Sequence, residues 1–536
     1  MKIHPRSNIC GLFVLSTLTG LLICQDVPVD ISHPVNDFIL RYSAKGVAKS
    51  IHPGLKPFSI NQINAALDEI SNAELSKSER DLLFYFIREF DVNNFKKGFQ
   101  APWQISYLKK GANAAFSRYN QNSDELRFIS YRDKGLSLWI DWEELISVDA
   151  QDTIHRSFNN DHVTVSGRFN ENVSFYSSYS LFRVGYQDSD PIPEEFKQGY
   201  LLLEENTHWL IWDVSEASLK WNNSIVDIEL SKIPVYWGFS RRHSPILSGN
   251  VQPFSFFRLS KNYYRVRAES IIGSLVPYGD SRKSNIEEKH IAAHRFEFDL
   301  TQSLTISFNE MVIYARRNLE LGYLLPVNLF WSEEHSLGNR DNVLMSFDTF
   351  WNVTPGLSVY GTFFWDELSW FKLFSPWWGN KFIFQSGFHW VPFSNPKLPD
   401  FRIEYTASRP WVYTHQDSLL NYTSAGHGLG FPTGPNSQLL YLEMNMWPTY
   451  KTYLSFNISY LIKGSGVGST PNDNYSLRDK SLDNNTPFLL GDVHDQFIVG
   501  THFRIRVTEL FYITGKLIYN NSENIFEGKL GLLMNY

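Results

Sequence analysis

Two connectors in this chain gather side chains able to do chemistry. The first places Trp237, Arg241, Arg242 and His243 close together. An indole offers a face on which a sugar ring can stack, and guanidinium and imidazole groups can hydrogen-bond hydroxyls or pair with acidic sugars. The second connector holds Glu333, Glu334, His335, Arg340 and Asp341 between two aromatic-rich runs. Paired carboxylates beside a histidine are also what glycoside cleavage uses. Each set has a plainer alternative: Trp237 in an interfacial aromatic girdle, the arginine pair facing solvent or a lumen, and the acids balancing loop charge. Trp237, Arg241, Arg242, His243, Glu333, Arg340 and Asp341 are the polysaccharide-binding candidates, the plainer alternative being favoured for any single one of them, and no catalytic residue is expected. The chain has no Gly-x-Ser-x-Gly, no His-Glu-x-x-His and no phosphate-binding glycine loop. His415, Asp417, His427 and His494 are too dispersed to argue a metal site. No cofactor is expected.

The elements that must position these residues are β-strands. Residues 321–370 read as a β-hairpin turning at Thr354-Pro355-Gly356. In the returning run Leu357, Val359, Gly361, Phe363 and Trp365 share one parity, so one face is wholly apolar while the other is mixed. Segments of about ten residues repeat this alternation after Pro102, the length a tilted strand needs to cross a bilayer. Val226, Ile228 and Leu230 follow an Asn222-Asn223 turn. Phe401, Ile403 and Tyr405 alternate with Arg402, Glu404 and Thr406, and the same pattern recurs from Leu454 to Ile462 and from Phe497 to Ile505.

Composition points the same way. A chain of 536 residues could hold several soluble domains or one large closed sheet. Aromatics make up 16%, yet no run of about 18 apolar residues follows the N-terminus, so the chain does not read as a helical membrane protein. Aromatic richness without such runs suits a transmembrane β-barrel, with a soluble β-sandwich as the competing class. A net charge of −7 and scattered Lys and Arg argue against a nucleic-acid partner.

Residues 1–24 place Lys2, His4 and Arg6 ahead of an apolar run, the charge order of a signal peptide. Both cysteines, Cys10 and Cys24, lie in it, so disulfides and zinc-thiolate chemistry are not expected in the mature chain. Residues 25–97 read as a helical unit of about three helices. Val35, Phe38, Ile39 and Tyr42 share a face of the first, and Ser59 with Gln62 and Ser76 with Glu79 form capping boxes for the next two. Residues 98–536 then form a mainly β, large antiparallel transmembrane barrel of about 16–18 strands. The polar stretch 464–493 would be a large extracellular loop, and the Gly/Pro-rich stretch 424–437 another.

Gly528, Leu530, Leu532, Met534 and Tyr536 share one parity at the C-terminus. The pattern Lys529-x-Gly531-x-x-Met534-x-Tyr536 resembles the terminal signal read by the outer-membrane barrel assembly machinery. Further stretches resemble the Wzi family of outer-membrane capsule-assembly proteins. They are the helical unit, Trp237-Gly238 followed by Leu247-Ser248-Gly249-Asn250 and Pro253-Phe254, then Pro326-Val327, Asp341-Asn342 and Asp348. Where the family has Pro-Gly after the Trp-Gly, this chain has Phe239-Ser240. The resemblance implies an 18-stranded barrel with the helical unit at its periplasmic end. It also implies a surface polysaccharide as partner, besides outer-membrane lipid and the assembly machinery. An outer-membrane porin or transporter, and a secreted polysaccharide-active enzyme, are the alternatives.

Overall fold

The computed structural model of the protein describes residues 26–90, 98–100, 103–104, 117–118, 127–151, 154–170, 172–185, 204–205, 209–277, 287–367, 369–508, 510–522 and 524–535. The expected signal peptide and Tyr536 lie outside these residues.

Eighteen strands close into one antiparallel barrel. They are β1 (Leu136–Gln151), β2 (Ile154–Phe169), β3 (Val173–Gly185), β4 (Trp209–Trp221), β5 (Asp227–Lys232), β6 (Ser255–Tyr263), β7 (Val266–Leu275), β8 (Lys289–Asp299) and β9 (Leu304–Ala315). The circuit continues through β10 (Asn342–Thr354), β11 (Leu357–Glu367), β12 (Lys381–Trp390), β13 (Asp400–Ser408), β14 (Ser437–Thr449), β15 (Thr452–Gly464), β16 (Val493–Arg506), β17 (Phe511–Asn520) and β18 (Ile525–Asn535). β18 closes the ring by pairing with β1, Leu530 opposite Val148. The alternation seen in the sequence sorts the two faces. Leu230, Phe347, Val359, Phe384, Tyr405 and Leu530 are exposed on the outside, whereas Glu229, Asp348, Thr362, Gln385, Arg402 and Glu404 are buried inside. An apolar outer face and a polar inner face are what a bilayer demands of a closed sheet.

The helical unit closes the short-turn end. In α1 (Pro34–Ala44) the fixed φ of Pro34 suits the first helical position, and His33 caps it by accepting from the Val35 amide. In α2 (Ile60–Ser71) both halves of the Ser59/Gln62 capping box form, and before α3 (Lys77–Phe90) the Ser76 amide donates to Glu79 at 2.7 Å. The unit docks on short turns: Gly356 N donates to Ala44 O at 2.8 Å, and Arg41 donates to the Phe393 carbonyl at 2.7 Å. Trp139, Trp447 and Tyr453 from the barrel wall complete its core. Every residue of α1 is buried, so its polar face, with Asp37 and Arg41, is inside the barrel as well.

The hairpin expected over residues 321–370 is confined to β10 and β11. The first part is instead helical, α4 (Leu321–Leu324) and α5 (Phe330–Ser336). Its apolar residues lack the two-residue period of a strand, and the Glu310 carboxylate accepts from the Phe330 and Trp331 amides to start α5.

Candidate functional site

The connector between β5 and β6, residues 233–254, turns inward and packs as a plug against one side of the inner wall. It pairs with Leu55 and Lys56 of the helical unit through Trp237 and Tyr236, and Ser248 N donates to Leu429 O in the 409–436 connector. Ile233, Val235, Ile246, Leu247 and Phe254 pack there against inward Ile291, Met311, Leu344, Phe364 and Ile383, and against Tyr413, Tyr422 and Phe431. On this side the lumen is a protein core of ordinary apolar packing.

The first set of sequence candidates belongs to this plug. Trp237 is fully buried, with its indole N–H donating to Glu269 Oε1 at 2.8 Å, so no face is left for a sugar ring. Arg241 makes a bidentate pair with Asp37, at 2.9 and 3.2 Å. Arg402 bridges Asp37 at 3.0 Å and Glu443 at 3.1 Å, and Arg242 reaches Glu443 at 3.2 Å. His243 meets Glu404 at 3.3 Å, whose other oxygen accepts from Tyr360 at 2.6 Å. Burial pushes the Asp37 carboxyl up, but the two guanidinium groups outweigh it and hold it well below the usual carboxylate range. This network clamps helical unit, plug and wall together. The Arg242 side chain alone of the four remains half exposed, at 48%.

The second set lies on the outside of the barrel. Asp341 accepts a bidentate pair from Arg317, at 2.8 and 2.6 Å, and a bond from Tyr323 at 2.7 Å. Glu333 accepts from Asn328, and Arg340 is exposed. The two sets are therefore not brought together: the wall separates them. At the C-terminus, Lys529 lies over the Phe158 ring and Gly531 packs tightly against Leu145 and Ser147, while Met534 is partly exposed.

At the end opposite the helices, three connectors, 369–380, 409–436 and 465–492, knit into one surface. Trp378 N donates to Asp483 O, Thr486 N to Pro376 O, and Trp411 N to Gly468 O. Asn436 accepts from the Leu490 amide at 2.7 Å and donates to Ser469 at 2.7 Å. They enclose an open cleft of about 420 Å³ lined by Trp378, Trp411, Leu477, Arg478, Asp479 and Leu482. Arg478 stacks on the Trp378 ring at 3.7 Å while its fork grips Asp483, fixing the indole in place. Gly468 has φ +104° and its missing side chain leaves room for the Trp411 ring, which a Cβ would approach to 2.7 Å. The partly exposed Trp378 indole, an exposed carboxylate at Asp479 and a volume in the roughly 300–1,000 Å³ range of ligand sites suit a saccharide segment, with the buried Trp411 forming the floor. The sequence flagged the 464–493 connector but not Trp378 or Trp411. Their signal was the Trp377-Trp378 and Pro410-Trp411 pairs in segments too irregular to be strands.

Among the described residues, no group of three or more His, Cys, Asp or Glu is placed to hold a metal ion. No family model matches the chain, and no curated protein does either. Solved structures do. Wzi, an outer membrane protein involved in group 1 capsule assembly in Escherichia coli and described as a carbohydrate binding β-barrel, superposes with TM-score 0.59 at 13% identity, covering 95% of this chain and 99% of that one. OccAB2 of Acinetobacter baumannii (7% identity, TM-score 0.42, 74% of this chain and 98% of that one) and OpdK of Pseudomonas aeruginosa (8%, 0.43, 74% and 98%) also match. The chain thus has the fold of the Wzi outer-membrane β-barrel, over nearly the full length of both proteins.

Proposed function

We propose that this protein is a non-catalytic outer-membrane barrel that holds extracellular polysaccharide at the cell surface through the cleft formed by its long connectors. The cleft is the observation that carries this reading: three connectors are locked together to hold Trp378 and Trp411 over a plugged lumen. Short turns are the periplasmic side of outer-membrane barrels, which supports a periplasmic helical unit and a cleft that faces outward. Wzi being described as a carbohydrate binding β-barrel supports the same ligand class. Trp378, Leu477 and Asp479 are the direct contacts in this account. Arg340, the cation exposed on the outer surface among the residues singled out in the sequence, adds charge toward an acidic polymer, and Arg242 belongs with the frame through its pairing with Glu443. Trp237, Arg241, His243, Glu333 and Asp341 act by holding the frame. Lys529, Gly531 and Met534, together with Tyr536, serve barrel assembly.

The test is binding of detergent-solubilised protein to immobilised polysaccharide from the producing cells. Trp378→Ala is expected to weaken binding by about tenfold or more, the effect of truncating an aromatic anchor, and Trp378→Phe by less. Wild-type affinity in Trp378→Ala would remove the cleft from the account.

A further inference from the structure

On an ordinary transmembrane barrel the outward side chains of the strands are the exposed ones. One patch of this barrel breaks that rule. Ile272, Ala292, Val312 and Val343 are cross-strand neighbours in one outward row over β7–β10, and Ala292 and Val312 have no exposure at all. The neighbouring outward pair, His294 opposite Glu310, is equally buried, with 3.1 Å between the two groups. The cover is the 316–341 connector, which folds back down the outside of the wall. Tyr323 of α4 and Phe330 of α5 are fully buried on this patch. Glu310 is consumed as the acceptor for the Phe330 and Trp331 amides, at 2.9 and 2.7 Å.

The other side of this arm is sharply divided. Its exposed residues from 321 to 331 are Leu321, Leu324, Leu325, Val327, Leu329 and Trp331, all apolar, with Val327 at 83%. From 332 onward the exposed residues are Ser332, His335, Ser336, Gly338, Asn339 and Arg340. The apolar half also sits at membrane height. Trp351, exposed on the outside and paired with Leu304, marks the lower girdle. Glu310 lies six residues further up β9, a climb of roughly 15 Å for a strand tilted about 40°, inside a belt about 25 Å tall. Directly below the arm the belt is open: Phe308 pairs with Phe347, which is 55% exposed. The apolar side of the arm therefore continues the lipid-facing surface of the strands.

We propose that residues 321–331 form a membrane-inserted arm whose outer side is occupied by the acyl chains of the outer leaflet, with residues 332–341 at the headgroup level. The arm takes a His–Glu pair out of contact with hydrocarbon, where an uncovered charge is costly, and offers six apolar side chains in its place. Asp341, which accepts from both Arg317 and Tyr323, pins its upper end. The 316–341 connector is thereby a lipid anchor, separate from the saccharide cleft, and it accounts for an apolar run that is neither strand nor plug.

The experiment uses the full barrel with Cys10 and Cys24 replaced by serine, a single cysteine introduced as Val327→Cys or Asn339→Cys, and an environment-sensitive nitrobenzoxadiazole label. Labelled protein is reconstituted in phosphatidylcholine vesicles carrying doxyl groups in mid-acyl chain. Quenching by the doxyl lipid roughly twofold or more stronger at 327 than at 339, with iodide favouring 339, is the expected result. Equal iodide access at both positions overturns the proposal. So does cross-linking of Val327→Cys between copies as the dominant state, which would assign the surface to a second chain. Leu325→Cys, 57% exposed, repeats the measurement should the 327 variant fail to fold.

Discussion

Asp37 lies on the buried face of α1 between Arg241 and Arg402, and its ionisation is therefore tied to docking of the helical unit in the barrel. The carboxyl titrates near pH 4 when unfolded and lower when docked. Its contribution is present above pH 4 and is lost as pH falls through the docked value. Asp37→Asn leaves two buried guanidinium groups without their shared partner, which costs about 3–5 kcal/mol. The expected outcome is a lower thermal midpoint for loss of the helical unit at pH 7, with the difference from wild type shrinking below pH 4. An unchanged midpoint would show that the pair does not hold the helical unit in the barrel. Gly468 works differently, through space. Gly468→Ala places a methyl in the Trp411 ring at a positive φ, a strain of about 1–3 kcal/mol. It should raise protease sensitivity in the 465–492 connector while heat-induced mobility shifts of the barrel stay normal.

The strands and helix starts were legible in the sequence because their rules are local. Parity in Leu357–Glu367 and in the C-terminal strand named the lipid face residue by residue, and Ser59/Gln62 and Ser76/Glu79 named two helix starts. Position inside the barrel was not legible. Periodicity gave α1 one apolar face, but its opposite face is also buried, and only the distant partners Arg241 and Arg402 make that tolerable. The plug and the arm escaped for the same reason. Both are apolar connectors without a strand period, and whether such a segment goes inward, outward or into solvent depends on the wall it meets. Trp237 illustrates the consequence, as an aromatic beside a basic pair whose ring is sealed by the plug core. The long connector gives a direct test at this scale. Replacing residues 469–488 by a short Gly/Ser linker removes Arg478 and Asp479 from the cleft and releases Trp378 from Asp483. Barrel assembly should persist, measured by the heat-induced shift on gels, and polysaccharide binding should be lost.

The whole molecule reads as a stack along the barrel axis. The helical core lies at the short turns, a polar clamp above it, an apolar plug core above that, and the knitted connectors on top. A clamp and plug so placed suit a holder better than a channel, and planar-bilayer recordings are expected to show no steady ion conductance. Open-channel steps would instead favour the transport alternative. The central claim is retention of polymer at the cell surface. The most direct measurement is the division of polysaccharide between the cell-bound and released fractions, in cells lacking this protein and in cells carrying Trp378→Ala. The account predicts release of polymer in both, with total synthesis unchanged and the Trp378→Ala barrel present at normal level. Undiminished cell-bound polymer in the deletion would contradict it.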